Sequence, residues 1–282
     1  MLYLICTPIG NLNDFSVRSI NILKEVKNIF VEDTRVSSKL LKHFGIKKNT
    51  APFHEHNEEK ISDKIIYLIK NGETVAVLSD AGAPLISDPG YPLIQKCIKN
   101  SIPFTVIPGP SSVINSLLLS GLPTDKFLFY GFLPKKNTAK KEIAFKVKSN
   151  NVTHIFFESA KRVRKTVEIF SEVLSPDTSI AICREITKKH ESIYRGTIEE
   201  ILNLMKNNKI KFLGEFVLLL NARTSFIMDT KLDEHFCRPF LDYLSVTDAS
   251  KLIAKITSFS KKEVYKFLLE ISKKQKKILK YK

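Results

Sequence analysis

The feature that most narrows the possible folds is a set of short apolar runs that do not alternate. Residues 2–6 (LYLIC), 28–31 (NIFV), 74–78 (TVAVL), 104–107 (FTVI) and 127–130 (FLFY) are apolar nearly throughout. A strand with one wet face alternates apolar and polar positions, so an uninterrupted run requires cover on both faces. Between two of these runs Ile61, Ile65, Leu68 and Ile69 follow i, i+4, i+7, i+8, which predicts a helix with one buried stripe. Strands alternating with amphipathic helices predict an α/β fold.

The 282 residues suggest about two domains. Apolar periodicity breaks at "FLPKKNTAKKE", so the sequence divides into an N-terminal α/β domain over 1–132 and a basic linker over 133–142. A second α/β domain is expected over 143–228. It contains "THIFFES", "SIAICRE", "EFVLLL" and a helix with Val163, Val167, Phe170 and Leu174 on one face. Beyond it, Leu252, Ile256 and Phe259 form one helical stripe, and Val264, Phe267, Leu268 and Ile271 form another. Ser260 and Glu263 between them have the spacing of a capping box. These predict a small helical module over 229–272 with a helix-turn-helix look, followed by a basic tail over 273–282.

Net charge is +16, from 45 basic and 29 acidic residues. The excess favours a polyanionic partner, nucleic acid or an anionic surface. It is clustered: residues 261–282 hold nine lysines against two glutamates, and residues 135–148 six against one. Because 37 of the 45 basic residues are lysine, compositional drift also supplies part of it. No run approaches the roughly 18 to 20 apolar residues of a membrane span, and no basic leader precedes the first strand. The expectation is a soluble, cytoplasmic protein with no membrane partner. Cys6, Cys97, Cys183 and Cys237 stand apart and read as buried apolar side chains.

Ligands of open α/β sheets bind beyond the carboxyl ends of the strands. There the chain places "TPIGN" (7–11), "EDTR" (32–35), "SDAGAPLISDPG" (79–90) and "PGPSS" (108–112), gathering several of its ten glycines. Glycine lets backbone approach a ligand and proline stiffens the loop, so these predict a preformed pocket walled by main chain. Neither a dinucleotide fingerprint nor a Walker loop is present. "FHEHNEE" puts His54 and His56 two apart, but a third and fourth ligand cannot be identified. No metal site is expected; the segment reads as a loop that touches RNA or a second subunit.

"TPIGNL", "EDTR", "HEHNE", "SDAGAPLISDPGY", "PGPSS", "GLPTDKF", "GFLPKK", "FFES", "CREITK" and "GEFVLLL" occur in the order and spacing of the tetrapyrrole-methylase superfamily. The chain resembles that family over residues 2–272, most closely its members that act on small-subunit ribosomal RNA. The resemblance implies a homodimer of two α/β domains with S-adenosylmethionine in the cleft between them. It implies 2′-O-methylation of a cytidine ribose in the decoding region of 16S rRNA, with the small ribosomal subunit as partner.

Carried over by position, cofactor contacts fall on Pro8, Ala81, Gly82, Ala83, Ile86, Ser111 and Ser112, with Glu158 and Ile186 from the second domain. Ala83 replaces a usual threonine, and Ala160 and Lys161 replace a frequent proline and histidine. Glu32, Asp33 and Asp80 are candidate bases, and Asp33 matches an acid-base aspartate of the sirohaem relatives. Arg35 is placed to hold a phosphate, while Asp33 with Arg35 reads equally as a structural salt bridge. Lys135, Lys136, Arg162 and Arg164 are candidate RNA contacts. Three other readings stay open: a tetrapyrrole methylase, a protein side-chain methylase and a non-catalytic RNA-binding protein.

Overall fold

The computed structural model describes residues 1–222, 232–257 and 259–278, with side chains as far as 273. Strands β1 (Leu2–Ile5), β2 (Asn28–Val31), β3 (Thr50–Pro52), β4 (Val75–Leu78) and β5 (Phe104–Ile107) form one sheet in the order β3-β2-β4-β1-β5. Every pairing is parallel. Helices α1 (Val17–Glu25), α2 (Thr34–His43), α3 (Glu58–Lys70) and α4 (Tyr91–Lys99) make the connections. On one face Leu2, Leu4, Phe30, Val75 and Val77 pack with Ile65, Ile69 and Leu93. On the other Ile5, Ile29, Val31, Ala76 and Leu78 pack with Leu23, Leu40 and Leu41. Successive side chains leave a strand on opposite faces and both faces are dry, which is why the runs do not alternate.

The second sheet contains β6 (Phe127–Phe132), β7 (Thr153–Ser159), β8 (Ser179–Arg184), β9 (Ser192–Thr197) and β10 (Glu215–Asn221), in the order β6-β7-β10-β8-β9. Only β6 and β7 run parallel. Helices α6 (Asn137–Ser149), α7 (Ala160–Ser171) and α8 (Ile198–Lys206) accompany it. Val163, Val167 and Phe170 of α7 enter a core with Phe156, Ile182 and Leu218. Val113 and Leu117 of α5 (Ser112–Ser120), the helix that follows β5, pack on the opposite face against Ile155, Ala181 and Leu219. This packing makes Met1–Ala222 one compact unit.

Two expectations need correction here. The strand at 127–130 does not close the first sheet; as β6 it pairs with β7. Residues 133–142 are not a linker, because Leu133 is buried and α6 starts at Asn137. The buried stripe of α6 is Lys140, Ala144 and Val147, which carries too little apolar contrast to announce itself. Strands β3 and β9 were not expected: the first is three residues long, and the second carries Arg195 and Gly196. On β7 the imidazole of His154 is fully buried and stacks against Tyr130 at 5.6 Å, with neither ring nitrogen hydrogen-bonded.

The second unit, Arg223–Lys282, contains α9 (Glu234–Leu241), α10 (Val246–Ile256) and α11 (Lys261–Ile278) around Cys237, Ala249, Ile253, Val264 and Leu268. The Ser260–Glu263 capping box forms in both directions. The α10 stripe sits one position over from the expected one: Ile253 and Ala249 are buried while Leu252 is exposed. Residues 223–231, with the expected boundary at 228, and the last four of the expected tail lie outside the described residues. No helix among the described residues is long and apolar enough to cross a membrane. All four cysteines are free and buried.

Candidate active site

A cavity of about 500 Å³ opens where the carboxyl ends of β2, β4 and β5 face the second sheet. That is within the range of small-molecule sites. One wall contains Glu32, Asp80, Ala81, Gly82, Ala83, Ile86, Asp88, Ser111 and Ser112. The other contains Phe132, Glu158, Ser159, Ala160 and residues 214–217.

The loop after β4 is held by its own chemistry. Thr7 and Gly82 exchange backbone hydrogen bonds of 2.8 and 3.0 Å, and the Ser79 hydroxyl donates to the Gly82 carbonyl at 3.0 Å. Gly82 has φ +85, and a Cβ there would lie 3.3 Å from Ile9. Leu85 and Ser87 also take left-handed backbone, at φ 73 and 67. Such conformations cost about 1–3 kcal/mol each and persist only where neighbours enforce them. One enforcer is Glu58, whose carboxylate accepts the Gly90 N–H at 3.0 Å. "HEHNE" thus has a structural task, its Asn57 side chain accepting from the His54 N–H and donating to Pro52. Behind the fifth strand, a Cβ on Gly109 would meet Cys6 Cβ at 2.8 Å, so only glycine lets "PGPSS" lie against β1. Ser111 caps α5 through its hydroxyl.

Three carboxylates share the first wall. Burial raises the Glu32 carboxyl, and the neighbouring Asp80 raises it further. Burial likewise raises Asp80, although its Oδ1 accepts the Asp33 N–H at 3.0 Å. Asp88 is pushed up to about 7 by burial, then by the charges of Glu32 and Asp80, and its Oδ2 is buried without a hydrogen bond. Asp88 is not among the residues that the sequence motifs single out. Its only sequence signal was membership of the same proline-bounded loop.

Asp33 behaves in the opposite way. Arg35 grips it with Nε at 3.0 Å and Nη2 at 2.5 Å and holds its carboxyl down at about 2. Neither residue lines the cavity, so the expectation of Asp33 as base gives way to the salt-bridge reading. Among the described residues no group of His, Cys, Asp and Glu has the geometry to hold a metal ion.

Of the expected cofactor contacts, Ala81, Gly82, Ala83, Ile86, Ser111, Ser112 and Glu158 line the cavity. Pro8 does not, being buried in the brace behind the loop, and Ile186 lines a small adjoining pocket instead. The Glu158 carboxylate is fully buried and fully engaged. It accepts from Lys140 Nζ at 2.9 Å, Thr166 Oγ1 at 2.8 Å and the Ser159 N–H at 2.8 Å, and pairs with Arg162 at 2.7 Å. Glu158 therefore offers the cavity main chain and no free charge. Arg162, an expected RNA contact, is held in the same network with its side chain 27% exposed. Arg164 is also engaged, donating to the Met205 carbonyl at 2.9 Å and lying over Phe212. Lys135 and Lys136 are exposed and form no ion pair among the described residues.

Comparison with known proteins identifies the family. The family model for Tetrapyrrole (Corrin/Porphyrin) Methylases matches residues 1–202. A ribosomal RNA small subunit methyltransferase I from Hydrogenobaculum sp. (strain Y04AAS1) is 45% identical over 81% of this chain and 99% of its own. One from Vibrio cholerae serotype O1 is 36% identical over 96% of this chain and 94% of its own. Among solved structures, a diphthine synthase superposes with a TM-score of 0.61 at 16% identity, over 79% of this chain and 91% of its own, a likeness of fold alone. The chain belongs to the tetrapyrrole methylase family and, within it, to the group of ribosomal RNA small subunit methyltransferase I proteins.

Proposed function

We propose that the chain methylates the ribose 2′-oxygen of a cytidine in small-subunit rRNA, using S-adenosylmethionine held in the cavity between its two sheets. The observation that carries this reading is the cavity itself: main chain of residues 80–83 and 111–112 shares one wall with the carboxylates of Glu32, Asp80 and Asp88, none of them in an ion pair among the described residues. The fit to the cofactor is chemical. A cationic sulfonium and ammonium suit a wall where burial raises Glu32, Asp80 and Asp88, Asp80 raises Glu32 further, and both of these raise Asp88 further, because an added cation relieves that repulsion. When bound, the cofactor supplies an already activated methyl group.

The chain's own tasks are alignment and removal of the hydroxyl proton. Alignment comes from the braced loop after β4 and the N-terminus of α5, rigid elements that fix a reacting geometry. Asp88 is the proton acceptor. A carboxylate near 7 is substantially ionised at neutral pH yet far more basic than an ordinary aspartate, as a general base requires. Asp80 orients the β2–α2 corner through the Asp33 N–H. A homodimer fits the apolar side chains left open on successive elements: Phe104 and Val106 of β5, Leu118 of α5, and Phe127 and Phe132 of β6.

The test is incubation with isolated small ribosomal subunits and methyl-labelled S-adenosylmethionine, followed by mapping of the modified nucleotide. The expected result is label on one cytidine ribose. Label on protein or on a tetrapyrrole, or none at all, would remove the reading.

A further inference from the structure

Resting on that reading, we infer that the exposed face of α2 is the surface that carries the rRNA backbone to the cavity. The helix starts at its rim: Glu32 lines the cavity, Asp33 caps α2, and Asp33 N–H is bonded to cavity-lining Asp80. From there Arg35, Lys39 and Lys42 recur at i, i+4 and i+7, the spacing of one helical face, and all three are exposed. At a rise of about 1.5 Å per residue they climb about 10 Å from the rim. Lys47 extends the row beyond the helix.

The charge of this row is not balanced by nearby carboxylates in sequence. Residues 34–54 hold five basic residues and no acidic one. Among the described residues α2 is the only helix with three basic side chains and no carboxylate within it. Lys96 on α4, for comparison, is neutralised by Glu59 and Asp63 at 2.8 and 2.7 Å. Lys39, Lys42 and Lys47 make no ion pair among the described residues, whereas Arg35 is oriented by Asp33 and keeps an 87% exposed side chain. A concave site of about 450 Å³ lies at the far end of the row, lined by Ser38, Lys42, Lys47, Lys48 and Asn49. Cations and hydrogen-bond donors in a row, with no acidic interruption, suit consecutive phosphates of a nucleic acid. The row supplies position and affinity; nucleotide choice stays with the cavity.

The test uses the full chain with Lys39→Glu, Lys42→Glu and Lys47→Glu combined, against a control combining Lys60→Glu, Lys99→Glu and Lys206→Glu. Both change the net charge equally, and the control lysines are exposed on other helices. Binding is read by anisotropy of a labelled single-stranded RNA oligonucleotide at several salt concentrations, turnover on small subunits, and cofactor affinity by calorimetry. The α2 variant is expected to bind RNA at least tenfold more weakly and to lose about 2 from the slope of log affinity against log salt. Its KM for subunits rises while cofactor affinity stays unchanged, and the control moves far less. A wild-type slope in the α2 variant, or an equal loss in the control, overturns the inference while leaving the function standing. Wild-type protein that fails to label rRNA overturns both.

Discussion

The two walls of the cavity treat a buried carboxylate in opposite ways. On the second sheet Glu158 is surrounded by Lys140, Arg162, Thr166 and a backbone N–H, and every lone pair is used. On the first sheet Asp88 keeps an oxygen without a partner beside two more carboxylates. A satisfied buried ion network is costly to break and chemically inert, whereas an unsatisfied carboxylate is poised to take a proton. Chemistry and rigidity are thus divided between the walls.

The strongest way to break the contrast is Lys140→Met, which removes one of the two cations paired with the buried Glu158 carboxylate. A loss of about 3–5 kcal/mol is expected in urea unfolding, most of it recovered by Lys140→Arg. Next is Asp88→Asn, expected to slow methyl transfer about 10²- to 10³-fold at saturating cofactor while weakening calorimetric cofactor affinity far less, since Glu32 and Asp80 still face the cation. The wild-type kcat/KM for cofactor should climb with pH and level off above about 7, and the variant should lack that limb. The sign of the stability change is opposite. A carboxyl whose folded pKa lies above its unfolded value stabilises at low pH and loses that contribution as pH rises through about 7, so Asp88→Asn melts higher than wild type at pH 8.

A smaller effect concerns His154, whose burial lowers its pKa. Its contribution is complete above the unfolded value near 6.5 and is lost as pH falls below it, so the urea midpoint should drop between pH 8 and 5. His154→Phe is expected to flatten that dependence. Smallest is Asp33→Asn: the exposed Asp33–Arg35 pair contributes above the ordinary carboxyl range and fades as pH falls toward about 2. The rate inflection near 7 should persist in this variant, and its disappearance would move the proton acceptor from Asp88 to Asp33.

What could be read from the sequence was whatever a local pattern encodes. The non-alternating runs announced a sheet dry on both faces, and the clustering of glycine and proline at strand ends marked the loops that line the cavity. Long-range facts were not legible. Lys140 looks like linker lysine because its partners Glu158 and Thr166 lie 18 and 26 residues away. The pairing of β6 with β7 is equally invisible in "FLFYGF". Asp33 stood out because a motif named it, but the difference between a carboxyl near 2 and one near 7 is made by Arg35 at one site and by burial at the other.

The left-handed turn at Leu85 and Ser87, pinned from Thr7 on one side and Glu58 on the other, has a thermodynamic corollary. A segment already frozen before any guest arrives has little disorder left to surrender, so docking there carries a small entropic penalty. Loosening one pin, as in Glu58→Gln, is then expected to appear in calorimetry as a less favourable entropy of cofactor association, with the heat released nearly unaltered.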